Sequence, residues 1–144
     1  MTSGLRLTSF ARAWVALALA LALHVADEAA HDFLSVYNPN AQAIRARYPF
    51  LPVPTFTFRE WVFGLGAAIV LLLLLTPVAR RGSTWIRFIA VVLGVIVGIA
   101  NGMGHIVSSI YFQRLMPGVW SAPVIILAGA WLIREAIRGA DPKP

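Results

Sequence analysis

From Trp61 to Val78 the chain carries no charged residue, and at the centre of this run stands GLGAAIVLLLLL. A bilayer core about 30 Å thick needs roughly 20 apolar residues per helix. Few environments other than hydrocarbon accommodate such a segment, and three further runs repeat the pattern. The expected spans are residues 13–36, 58–78, 85–112 and 119–137, which makes residues 1–144 one all-α domain, an integral membrane four-helix bundle. Composition agrees. Of 144 residues, 59 % are hydrophobic and 12 % charged, whereas soluble domains carry roughly 25 % charged residues.

The boundaries follow from helix breakers. Pro77 and Arg80–Arg81 end the second span, and Pro117–Gly118 precede the fourth. Residues 37–56, YNPNAQAIRARYPFLPVPTF, hold four prolines, Pro39, Pro49, Pro52 and Pro54. They are expected to form a surface loop with a short interfacial helix over 41–48. Orientation follows from Lys and Arg in short loops. Arg6, Arg12, Arg80, Arg81, Arg87, Arg134, Arg138 and Lys143 fall on one side, and Arg45, Arg47, Arg59 and Arg114 on the other. Both termini are therefore expected in the cytoplasm, with the long loop outside, as in a multi-pass protein of a bacterial inner membrane. Trp14, Trp61, Trp85 and Trp120 fall near the expected helix ends, where interfacial belts place tryptophan.

The net charge of +6 resides in these flanking arginines, so it reads as topology and lipid-headgroup contact. No basic stripe with interleaved aromatics points to nucleic acid. The start MTSGLRLTSFARAWVALALALA also has the pattern of a cleaved signal. Against that reading, no helix breaker follows until Asn38–Pro39, and the polar residues beyond Leu23 keep a helical spacing.

Those polar residues interrupt the first apolar run as HVADEAAH, residues 24–31. His24, Asp27 or Glu28, and His31 share one helix face, with small apolar residues between them. Asp32 lies one turn beyond Glu28. In the third span, GIANGMGHIVSS places Asn101 and His105 one turn apart. By depth, all three histidines fall in the outer half of the bundle, together with Asp27, Glu28, Asp32 and Glu60. An ionisable group at mid-membrane costs on the order of 2.5–3.5 kcal/mol, so such groups are expected to face one another, water or an ion. Gly94, Gly98 and Gly102 form a small-residue track. That track is expected to admit the first helix at close range. Arg114 is expected to pair with an acidic residue at the outer rim.

Cysteine is absent, so any metal must be held by nitrogen and oxygen donors. Three chemistries suit the constellation. The leading one is a divalent metal site for zinc, iron or manganese, with His24, Glu28, His31 and His105 as ligands. Asp27 or Glu60 would then serve as base or support, and Asn101 as an orienting hydrogen bond. One Glu-x-x-His at 28–31 falls short of the two that a di-metal bundle needs. The second chemistry is metal-free proton transfer by His–carboxylate pairs. The third is helix pairing alone, in which the polar groups only hydrogen-bond across the bundle.

H-V-A-D-E at 24–28, followed by a His–Asp pair, resembles the motif of the HXXEE family of small bacterial integral membrane proteins. N-G-M-G-H at 101–105, with Tyr111, Arg114 and M-P-G at 116–118, is similar to that family's second half. Asp27 stands where the first of the family's paired glutamates would be. The resemblance implies a membrane fold and a pairing of His24 with Asp27 and Glu28, and implies no reaction.

The resulting expectation is a membrane protein with an outer-half site, acting as a metal-dependent enzyme on a lipophilic substrate among membrane lipids. The alternative is a proton- or ion-coupled transport or accessory subunit, working as a homo-oligomer. The nearly apolar inner half favours a one-sided pocket over a through-path.

Overall fold

The computed structural model describes residues 7–139. Arg6 and Lys143, two of the residues used for orientation, lie outside them. Five helices form among the described residues, with no strand. They are α1 (Ser9–Ala30), α2 (Phe33–Arg47), α3 (Phe58–Arg81), α4 (Thr84–Tyr111) and α5 (Ala122–Arg138). Three of them, α1, α3 and α4, are long and apolar enough to cross a membrane.

The core forms where α1 meets α5 and α3, with α4 packed along α5. Trp14, Leu17, Ile86, Ile125 and Leu132 are its largest fully buried apolar side chains. The most apolar window of α1 is 56 % buried, whereas that of α3 is only 6 % buried. α3 therefore packs through one edge, chiefly on α1, with Leu65, Leu72 and Leu75 against the core and Leu71, Leu73 and Leu74 outward. A helix with so much exposed Leu and Val is at odds with water. Near the break before Pro77, the Leu72 carbonyl accepts the Trp14 indole N–H at 2.7 Å. That bond ties α3 to the core.

The glycine track differs from expectation in its partner. It receives α5 rather than α1: a Cβ on Gly98 would lie 2.6 Å from Gly129 Cα, and one on Gly102 2.9 Å from the Ala122 carbonyl oxygen. Gly129 supplies a matching gap on the opposite helix, so the two backbones touch. Over Gly94–Ala100 α4 widens into a π-helical segment.

The first span also ends earlier than expected. α1 stops at Ala30, and Asp32 turns the chain with φ 53°. Asp is one of the few side-chain-bearing residues that tolerate this left-handed region. The next helix, α2, occupies much of the expected loop and carries Pro39 within it. Asn38 pins it down, giving its side-chain amide to the Phe56 carbonyl (2.8 Å) and accepting the Phe56 N–H (3.0 Å). Trp85 and Trp120 are exposed, whereas Trp14 and Trp61 are buried in the core instead of lying free at helix ends. Arg114 lies over the Phe112 ring, 6.0 Å from its centroid, in place of the expected acidic partner.

Candidate metal centre

HVADEAA forms the last turns of α1, and His31 caps it. The helical period sends His24 and Glu28 into the interior together, and both are buried. His105 reaches the same point from α4. Its Nε2 lies 3.1 Å from Glu28 Oε1, and His24 Nε2 lies 3.7 Å from that oxygen. The two imidazoles meet edge to face with centroids 4.7 Å apart. One ligand atom from each of His24, Glu28 and His105 falls within 4.8 Å of the others. Ligands each 2.0–2.1 Å from a tetrahedral ion stand about 3.4 Å apart, so the observed separations need little adjustment to hold one.

His24 is fully buried, and its Nε2 has no hydrogen-bond partner. Its Nδ1 lies 2.8 Å from the Ser121 hydroxyl oxygen. That hydroxyl has one proton, and it sits 2.7 Å from Asp27 Oδ2, which also accepts the Ser121 backbone N–H at 2.8 Å. A carboxylate is the strongest acceptor present, so Ser121 donates to Asp27 and accepts from His24. This chain of bonds assigns the imidazole proton to Nδ1. Nε2 then bears a lone pair, directed towards Glu28 and His105. A buried acceptor left without a partner costs roughly 1–3 kcal/mol, and a metal ion is the partner that two imidazoles and a carboxylate fit.

The lid of the site is Gly118, with φ 85°. A Cβ there would lie 2.9 Å from His105 Cε1 and Nδ1, and 3.0 Å from Glu28 Cγ. Backbone conformation and space both require glycine. Its segment is anchored to α4 through Ser109, whose hydroxyl donates to the His105 carbonyl (2.7 Å) and accepts the Met116 N–H (3.0 Å).

Most of the other residues singled out in the sequence have partners of their own. Asp27 bonds Ser121 on one side and His31 on the other, its Oδ1 lying 2.9 Å from His31 Nδ1. The His31 side chain is 51 % exposed and is not among the three grouped ligands. Glu60 caps α3: its carboxylate accepts from the Thr57 backbone N–H and hydroxyl, both at 2.8 Å. Asn101 is half-buried and borders a cavity of about 410 Å³ together with His105. Sequence patterns mark Gly118 as a break before the fourth span and part of M-P-G, and leave Ser121 without a role. Ser121 precedes Ala122–Pro123, a helix-start pattern that marks a polar residue at the α5 terminus but not its partner.

No curated protein and no solved structure matches this chain. A family model does: the description "protein of unknown function with HXXEE motif" matches residues 14–132, a range that contains α1 from Trp14 on, with His24, Asp27 and Glu28, as well as His105, Gly118 and Ser121. With most of its length so matched, the chain belongs to the HXXEE family, and it carries that motif with Asp27 before Glu28.

Proposed function

We propose that this is an integral membrane protein holding one divalent metal ion between His24 Nε2, Glu28 and His105 Nε2, and that it acts as a metal-dependent enzyme on a lipophilic substrate. In this reading α1, α3, α4 and α5 cross the bilayer with both termini cytoplasmic, and the site lies in the outer half. The observation that carries it is the buried lone pair of His24, oriented through Ser121 by Asp27 and left without a protein partner. An oriented imidazole backed by a carboxylate is the usual outer arrangement around a metal-bound histidine. Two histidines and one carboxylate leave a coordination position for water or substrate, the donor set of hydrolytic zinc and of non-haem iron(II) sites. Such an ion would activate water or polarise an oxygen of the substrate.

The buried face of α1 on the other side of the site favours an enzyme over a transport path. Phe10, Trp14, Leu17 and Leu21 fill it, with no polar side chain among them. Elemental analysis of the detergent-purified protein tests the proposal. One equivalent of zinc, iron or manganese per chain is expected, and its loss in His24→Ala plus His105→Ala. Absence of stoichiometric metal, or metal retained by the double variant, overturns it.

A further inference from the structure

Two cavities meet at Glu28, and they differ in character. One, of about 550 Å³, is bordered by Glu28, Asp32, Ser35 and Asn38 where α1, α2 and α3 come together. The other, of about 530 Å³, runs between α1, α3 and α4 and is bordered by Leu21, Leu65, Ala68, Leu72, Ile96 and Val97. Glu28, Phe33 and Trp61 border both. The Phe33 and Trp61 rings, with centroids 5.8 Å apart, form the shared wall. We infer that the two cavities are one binding site for a lipid with a single hydrocarbon chain and an uncharged, hydrogen-bonding head, the chain lying in the apolar cavity and the head beside Glu28.

The dimensions and charges argue for that occupant. From Trp61 to Leu72 the apolar cavity follows α3 for about 16 Å, close to half of a bilayer core of about 30 Å. It opens sideways, past the exposed Leu71 and Ile96, onto the apolar surface that the membrane reading turns towards lipid. A hydrocarbon chain can enter from one leaflet without crossing water. The polar cavity offers two carboxylates, a hydroxyl and an amide, and among the described residues no Lys or Arg borders it. Without a bound ion, an anionic head such as a phosphate diester would meet Glu28 and Asp32 with no countercharge. An alcohol or amide head can donate to either carboxylate.

The inference rests on the membrane placement proposed above and gives the lipophilic substrate a chemical class; it does not need the metal. A long-chain primary alcohol with a diazirine at the chain end is the probe, with the carboxylic acid of equal length as its anionic counterpart. Photolabelling of the reconstituted protein by the alcohol is expected on 68–72 and 93–97, and, in protein stripped of metal by chelator, more weakly by the acid. Ala68→Trp fills the apolar cavity from an exposed position of α3. Displacing about two methylenes should lower labelling roughly tenfold. Ala67→Trp, on the neighbouring face, should label as wild type. Equal labelling in Ala68→Trp, labelling elsewhere, or, in the metal-stripped protein, acid labelling as well as alcohol overturns the inference. Metal content measured on the same samples separates the two ideas. Metal present with cavity-independent labelling removes only the lipid site, and cavity-dependent labelling without metal removes only the metal centre.

Discussion

At one end of the molecule Arg87 spends its donors on backbone carbonyls: Nε on Gly82 (2.9 Å), and Nη1 on Glu135 (2.9 Å) and Ala136 (3.2 Å). Its guanidinium also lies 4.7 Å from the Phe10 ring centroid. At the other end His24 is buried more deeply, yet one of its two nitrogens has no partner. The Arg87 end is a finished structure, in which a cation closes the last turn of α5 and fastens it to α1 and α4. The His24 end keeps one strong acceptor unmatched and spends Ser121 and Asp27 on holding it in place. Satisfied polar groups add stability, whereas a deliberately unsatisfied one costs it and marks where something binds.

Substitutions at each end should therefore have opposite signatures. The largest effect is expected from His24→Leu, which should weaken metal binding by more than about a hundredfold, beyond what loss of a supporting residue costs. The same variant, compared with wild type stripped of metal by chelator, should unfold no earlier, because it removes an unmatched buried acceptor. Metal titration and thermal unfolding in detergent check the two halves. Arg87→Leu should reverse the pattern, costing about 2–3 kcal/mol of stability through lost charge-assisted hydrogen bonds, with metal stoichiometry unchanged. Should Arg87→Leu abolish binding instead, the division between the ends would fail. Ser121→Ala tests the coupling within the site. It leaves the three ligands in place but releases the His24 tautomer, and about a tenfold loss of metal affinity is expected by competition with a chromophoric chelator. The smallest effect is expected from His31→Ala. Its ion pair with Asp27 is exposed on the histidine side, so stability should change by about 0.5 kcal/mol or less, with full metal content. A loss of metal in that variant would bring His31 into the centre.

Period and depth made His24, Glu28 and His105 visible in the sequence, because burial of ionisable groups at matching heights constrains helix pairing strongly. The apolar run of α3 was equally plain. The break at His31–Asp32 was not, since neither glycine nor proline marks it and a single Asp in a left-handed conformation makes the turn. The helical course of α2 was hidden by Pro39, which a helix tolerates when other contacts hold it. Ser121 was hidden for a different reason. Its role lies in an atom 2.7 Å from Asp27, a residue 94 positions away, and no local pattern encodes such a pairing. The glycine track announced a close approach but not which helix would make it.

That approach has a consequence for the genetics of the site. Gly98 lies seven residues before His105 on α4, about 10 Å along the axis, and Gly129 lies about 12 Å beyond Ser121 on α5. With no side chain between the two backbones, the Gly98–Gly129 crossing acts as a fulcrum between His105 and Ser121. Overpacking there should lever His105 and Ser121 apart, and metal–ligand distances tolerate only about 0.2 Å of error. Inactivating mutations recovered in a screen should then cluster in two places, around the ligands and at this distant hinge of glycines.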